Sequence, residues 1–401
     1  MNRQCNYLAA CCVLSASFSA VGAEEPRDFS ETLRQRLSAE EIGWMKEATR
    51  RQLAGCRVQA TDGTWLYTPD GVGNYRALWT RDFAYMVEYA ADLLPPEHIR
   101  KGITYLLRGQ RSDGCMPDRV NVDGRGVYAP GSEEHPLADH ALDNGPFMAK
   151  LVCAYVLATG DLQCFRDTEP ALRKGLDFTR RDETGLVFNP PEAPQCPYGF
   201  TDTVAKTGHE LFCSLLYAEA CRRMEAICRK AGCGDPDEYK RRAERIASSL
   251  NILWDDSVGM FLAADRDCRQ ADVWGSALAV HLGLASENQS SRVASYLAAN
   301  YDGIVQRGQI RHLPANQHWQ RLLAPVAPGT YQNGAFWGTP IPWVAPVLAR
   351  QDKELAVRLV REAIADYRER GITECVNGSY HNVPEYVASA TNLYGLLREP
   401  R

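Results

Sequence analysis

The sequence predicts an all-α fold, a single (α/α)6 toroid of six helical hairpins with short β-hairpins decorating its long loops. Three observations predict it. Apolar residues recur at three- and four-residue spacing over about twelve segments, with only scraps of strand-like alternation between them. The connections between those segments alternate between short and long. No linker, low-complexity tract or exact repeat divides the chain. Composition agrees: 45% of the 401 residues are hydrophobic, 24% are charged, and the net charge is only −5, so no nucleic-acid or membrane-surface partner is expected.

The N-terminus reads as a processing segment. Arg3 supplies a basic start, Tyr7 to Ala20 are mostly apolar or small, and Val21-Gly22-Ala23 resembles a cleavage site before Glu24-Glu25. Residues 1–23 are therefore expected to be a signal peptide and 24–401 one domain, secreted or periplasmic. The apolar run is too short to span a bilayer. Leu8-Ala9-Ala10-Cys11 mimics a lipoprotein box but follows almost no apolar stretch. Three of the fourteen cysteines (Cys5, Cys11, Cys12) go with this segment. Export permits disulfides among the other eleven, an odd number that leaves at least one thiol free or paired between chains. Cys228 and Cys233 are spaced to pair around a turn, whereas Cys213 and Cys221 suit burial on a helix. No CxxC pair or histidine cluster suggests a metal site.

Helices are predicted at 31–53, 81–94, 97–109, 138–158, 168–182, 203–231, 235–252, 271–284, 288–299, 334–349, 352–369 and 384–397. Leu211, Phe212, Leu215 and Leu216 form the stripe of the sixth; Leu355, Val357, Leu359, Val360, Ile364 and Tyr367 form that of the eleventh. Pro95-Pro96, Gly160-Asp161, Gly232 to Pro236 and Gly371 are stop signals. Links of about two to nine residues alternate with loops of about fourteen to thirty-four, around 54–80, 110–137, 183–202, 253–270, 300–333 and 370–383. Short links make antiparallel neighbours. Six such hairpins can close into a ring, and every long loop then emerges at one end, where a site would be built. Residues 64–67 and 75–79, around Gly71-Val72-Gly73, read as one β-hairpin; Trp254 to Ala263 read as another.

Polar and aromatic clusters fall in these loops. Trp79-Thr80-Arg81-Asp82 offers a flat face for a sugar ring and a pair of groups that can hold adjacent hydroxyls, although Thr80 and Asp82 also suit a helix start. Ser112 to Asp118 is a turn with Asp118 at its end. Tyr198 to Thr203 carries Asp202, which aromatic neighbours can desolvate into a general acid; a capping role is the alternative. Lys206 and His209 add polar groups behind it. Asp272-Val273-Trp274 opens the eighth helix. Tyr331-Gln332-Asn333-Gly334, with Trp337, combines amides that donate and accept as hydroxyls do. In the last loop Glu374 or Glu385 would be a second carboxylate. Glu385 suits the first turn of a helix anyway, so Glu374 is favoured. Two carboxylates across an aromatic-lined pocket are what glycoside hydrolysis needs.

At these residues the chain resembles the six-hairpin glycosidases, the superfamily of glucoamylases, trehalases, glycogen-debranching glucosidases and rhamnosidases. Trp79-Thr80-Arg81-Asp82 is similar to an element that binds the non-reducing-end sugar, which implies that Arg81 and Asp82 hold hydroxyls there. Phe200-Thr201-Asp202 lies where several members carry the acid aspartate. Tyr331-Gln332-Asn333-Gly334 and Trp337 resemble a tyrosine-x-asparagine-glycine element near the sugar. Glu374 with Gly378, followed by Tyr386 to Leu396, resembles the terminal base segment. The resemblance implies an α-linked hexopyranoside in an oligosaccharide or polysaccharide substrate, inversion with Asp202 as acid and Glu374 as base, and no cofactor. The surroundings of Asp202 match no one family, and the full trehalase signatures are absent.

Two other readings stay open. Unsaturated-uronyl hydrolases, sugar epimerases and some polysaccharide lyases are also helical toroids; a lyase would use a Tyr or His base and an arginine or metal, for which His209, Arg81 and Arg119 are available. A non-catalytic carbohydrate-binding protein would keep the pocket without the acid.

Overall fold

A computed structural model describes residues 26–399. The predicted signal segment, 1–23, lies outside the described residues. Fourteen helices are described: α1 (Pro26–Arg36), α2 (Ala39–Gly55), α3 (Thr80–Ala90), α4 (Pro96–Leu107), α5 (Asn144–Thr159), α6 (Leu162–Phe178), α7 (Leu211–Ala231), α8 (Pro236–Ser249), α9 (Val273–His281), α10 (Glu287–Ala299), α11 (Tyr301–Ile304), α12 (Ile341–Ala349), α13 (Lys353–Arg370) and α14 (Val387–Leu397).

Six of them, α3, α5, α7, α9, α12 and α14, form an inner ring in which each packs on the next and α14 closes on α3. Their sequences explain the placement. α9 (VWGSALAVH) and α12 (IPWVAPVLA) are apolar on nearly every side, so no face suits water. The outer helices α4, α6, α8, α10 and α13 are amphipathic; only Tyr239, Ala243 and Ile246 of α8 are buried. The N-terminal α2 serves as the outer helix beside α14. The ring therefore closes through the two ends of the chain.

Each inner helix is reached through a long loop and left through a short link. The long loops pair with one another. Ala77–Trp79 pairs with Arg119–Asn121, Asp70 with Tyr386, Ala141 with Cys196, Glu210 with Ala264, and Val204 with Leu322. A five-stranded antiparallel sheet, Val305–Gln306, Gln309–Arg311, Phe336–Trp337, Thr373–Asn377 and Tyr380–Pro384, joins the last two loops. All six loops thus gather over the N-terminal ends of the inner helices.

Several boundaries differ from expectation. The first predicted helix is two, split where Ser38 starts α2 with a capping box to Glu41. The sixth begins at Leu211, not 203, because Gly208 takes φ +83° and Gly208–His209 pairs as strand with Phe188–Asn189. The tenth begins at Ile341, since Phe336-Trp337 lies in the sheet. Residues 64–79 do not fold on themselves: Trp65–Tyr67 pairs back to Arg57–Gln59, and Ala77–Trp79 pairs forward. The hairpin at Trp254–Asp255 and Met260–Phe261 is as predicted. Cys228 and Cys233 are not bonded, and all eleven cysteines among the described residues are free thiols, with Cys213 and Cys221 buried. No helix among the described residues is long and apolar enough to cross a membrane.

Candidate active site

Trp79 is fixed by its strand pairing with Arg119, and the helix it precedes turns Arg81 and Asp82 inward. Arg81 is 5% exposed and gathers carboxylates. Its Nη1 donates to Asp118, its Nη2 donates to Oδ2 of Asp202 at 3.3 Å, and its Nε lies 3.9 Å from Oδ2 of Asp82. Burial opposes this charge, but Asp118 and then Asp202 overcome it and hold Arg81 well above its ordinary pKa. A Cβ on Gly199 would overlap Cδ and Nε of Arg81, so only glycine lets the side chain pass.

Asp202 does not open a helix. It follows one 3-10 turn, Gly199–Thr201, that Asp143 secures by accepting from the Gly199 N–H at 2.8 Å. Oδ1 of Asp202 accepts from Nε2 of Gln332 at 2.9 Å. Gln332 is held in turn by Thr203, whose N–H and hydroxyl donate to its Oε1 at 2.9 and 2.7 Å. Burial pushes Asp202 up to about 7, against the pull of Arg81.

Glu374 sits in the strand Thr373–Asn377 and is 2% exposed. The Tyr75 hydroxyl donates to its Oε1 at 3.0 Å and Nδ2 of Asn382 donates to its Oε2 at 2.5 Å. Burial raises it to about 8, with those two hydrogen bonds opposing. Asp82 accepts from the Tyr386 hydroxyl at 2.7 Å, and burial raises it to about 6 against Arg81.

Asp82, Asp202 and Glu374 line one cavity of about 440 Å³, together with Trp79, Arg81, Tyr331 and Trp337. That volume suits a small ligand. Asp118 and Gln332 stand just behind its wall, bonded to Arg81 and Asp202. The remaining sequence candidates are elsewhere. Lys206 is fully buried between Glu210 and Asp272, at 3.4 and 3.6 Å. His209 is clamped by Asp265 and Asp182, each at 2.7 Å. Trp274 stacks on His312 at 3.5 Å. Asn333 braces its own loop through Trp319 N and Val326 O. Glu385 takes φ +56° ahead of α14 and is exposed, because its carbonyl is bonded to Gly71 N and its side chain lies over Gly71. It is not in the first turn of a helix, and it does not line the cavity.

The structure adds Tyr75, Asn382 and Asp143 to the site, and puts Arg119, named above only for a lyase, in the cavity lining. Tyr75 and Asn382 carried no pattern of their own, since their role depends on pairing with a strand far along the chain. Asp143 precedes α5 and, with the fourth helix predicted to begin at 138, was hidden inside it. Among the described residues, no group of three or more His, Cys, Asp or Glu side chains is placed to hold a metal ion.

No protein-family model matches the sequence, and no curated protein matches it. Solved structures do match. A rhamnosidase from Klebsiella oxytoca with rhamnose bound superposes with a TM-score of 0.65 at 15% identity, covering 89% of this chain and 64% of that one. A GH63 mannosylglycerate hydrolase from Thermus thermophilus in complex with glucose gives 0.64 at 18%, covering 89% and 99%. A metal-independent alpha mannosidase from Streptococcus pneumoniae, in a complex with alpha-1,6-mannobiose, gives 0.61 at 12%, covering 92% and 96%.

The chain has the (α/α)6 glycoside-hydrolase fold.

Within that fold the chain is similar in extent to the mannosylglycerate hydrolase and the mannosidase, and spans about two thirds of the rhamnosidase at 64%. Identities this low carry fold and not chemistry.

Proposed function

We propose that the chain is an exported glycoside hydrolase that cleaves an α-linked hexopyranoside with inversion, Asp202 acting as general acid and Glu374 as general base. One observation carries the reading. Asp202 and Glu374 come from loops 172 residues apart, yet both are buried in the wall of one cavity, and each has its own hydrogen-bond partners. The raised values, about 7 and about 8, bring both carboxyls close to neutral pH, where a form with Asp202 protonated and Glu374 ionised coexists with the reverse one.

In the reaction Asp202 gives its proton to the glycosidic oxygen as the C1–O bond breaks. Glu374 takes a proton from water whose oxygen bonds to C1 from the opposite face. The products are a free sugar of inverted anomeric configuration and the released alcohol. In this reading Arg81 and Asp82 hold hydroxyls and Tyr331 and Trp337 contact the ring; all four line the cavity. The neighbours described with rhamnose, glucose and mannobiose support a sugar ligand. His209, the histidine available to a lyase as base, is engaged by two carboxylates outside the cavity lining.

A second assignment exchanges the two roles. The Arg81 contact favours an ionised Asp202, whereas among the described residues Glu374 has no cation bonded to it. The deciding experiment for hydrolysis is a screen of the purified protein against aryl glycosides and natural oligosaccharides, with NMR of the first anomer formed. Release of the inverted sugar is expected. No release from any glycoside would overturn the reading, and a retained anomer would make one carboxylate a nucleophile.

A further inference from the structure

The floor of the cavity is acidic, but its exposed edge is not. Arg76 lines the cavity, is exposed, and among the described residues has no hydrogen bond or ion pair. The other arginines at the cavity are committed. Arg81 is held by Asp118 and Asp202. Arg119 donates to Asp118 at 3.1 Å and to the carbonyls of Ala129 and Gly131 at 3.2 and 2.9 Å, with its guanidinium 4.7 Å from the centre of the Trp79 ring. Arg76 directly precedes the strand Ala77–Trp79, and Asn121, which also lines the cavity, pairs with Ala77. Arg76 and Asn121 therefore share one wall with Arg119. Asp82, Asp202 and Glu374 are buried in the same cavity, whereas Arg76 is exposed, so Arg76 stands at its mouth, where the part of a substrate beyond the buried sugar emerges as the leaving group.

A neutral sugar needs no uncommitted cation here. A guanidinium offers a planar fork of donors that fits an oxyanion and gives it a charge-assisted hydrogen bond. We propose that the leaving group of the substrate is acidic, carrying a carboxylate or a phosphate that Arg76 recognises. This rests on the hydrolase reading for the position of the leaving group, but the recognition itself is a binding event. It requires no proton or bond transfer beyond the hydrolysis already described.

Binding and turnover separate the two ideas. The probes are phenyl, 4-carboxyphenyl and 4-phosphophenyl 1-thio-α-D-mannopyranosides and the matching glucopyranosides, whose sulfur link resists hydrolysis, titrated calorimetrically. The wild-type protein is expected to bind at least one charged ligand about tenfold or more tightly than its phenyl counterpart, as charge-assisted contacts allow. The carboxylate and phosphate arms distinguish the two sources of charge. In Arg76→Gln the ratio of charged to neutral affinity should fall to near one, and Arg76→Lys should restore part of it. Thermal melting checks that each variant is folded. Equal affinity for charged and neutral ligands, absence of binding by all of them, or a ratio that Arg76→Gln leaves unmoved would overturn the inference. Failure of every O-linked glycoside to be cleaved, with the charge preference intact, would instead overturn the hydrolase reading alone.

Discussion

The Tyr75 hydroxyl donates to Oε1 of Glu374 at 3.0 Å, although 299 residues separate the two in sequence. The contact spans the seam at which the ring closes, where the first long loop meets the strand Thr373–Asn377 of the last loop. It also acts on the proposed base, because a donor to a carboxylate favours its ionised form.

Tyr75→Phe should therefore raise Glu374 further above its value of about 8. A base must be ionised to act, so a smaller fraction of Glu374 is competent at neutral and acidic pH, and kcat/KM there should drop about tenfold or more, the scale of a hydrogen bond to a charged group. Wild-type kcat/KM below about pH 7 in Tyr75→Phe would reduce Tyr75 to a packing role.

The exchange of roles between the carboxylates is open to a leaving-group test. If Asp202 is the acid, Asp202→Asn should lose about 10²- to 10⁴-fold on alkyl glycosides but far less on glycosyl fluorides, whose leaving group needs little protonation. Glu374→Gln should lose activity on both. The opposite pattern would make Glu374 the acid. Because both groups titrate close together, at about 7 and about 8, the limbs of the pH profile belong to the pair and do not assign the roles.

Gly199→Ala probes the passage of Arg81. The new Cβ would overlap Arg81 Cδ and Nε, and the side chain cannot swing aside while Asp118 and Asp202 hold its far end. The variant should lose stability by about 1–3 kcal/mol, as overpacked sites do, and lose most activity as Arg81 leaves Asp202. Wild-type activity and melting temperature in Gly199→Ala would show that Arg81 is not confined as described.

The ring of hairpins was legible because helix periodicity and loop length are local signals. The inner helices carry apolar runs, and the alternation of links sets their order. Asp202 and Glu374 were legible from their aromatic and glycine-rich surroundings. The environment of each was not. Asp202 was expected at a helix start, but Gly208 and a two-residue strand pairing delay α7 to Leu211. Lys206 and His209 moved with that error, from the site to ion pairs beside it. Glu385 was an alternative only while α14 was thought to begin at 384. What the sequence could not express were contacts between loops, such as Asn382 to Glu374 or Gln332 to Asp202, which depend on strand register and chain crossings over more than local distance.

Glu374 should also oppose folding at the pH where it works. Its folded value of about 8 lies above the ordinary 4.5, so the native state holds a proton that the unfolded chain releases between those limits. Its favourable contribution is complete below about 4.5 and is lost as pH rises through about 8. Glu374→Gln, neutral at every pH, should therefore gain thermal stability over the wild type as pH rises from 5 to 9, by a few degrees at the upper end. Differential scanning calorimetry across that range checks it. A gain equal at pH 5 and pH 9 would mean that buried charge is not the cause.

His209 shows the reverse sign. Burial alone would lower its pKa, but Asp182 and Asp265, each 2.7 Å from a ring nitrogen, hold it above the ordinary 6.5. The clamp joins the loop after α6 to the loop before α9. Its stabilisation is fully present below about 6.5, the unfolded value, and is lost as pH rises through the higher folded one. His209→Gln should thus lower the melting temperature by a few degrees at pH 6 and by less at pH 9. Since the imidazolium is outside the cavity lining, the fall in activity at pH 6 should follow the loss of folded protein and not precede it. A kcat that drops while the protein remains folded would return His209 to the chemistry, as a group acting on the acid through the 203–210 segment.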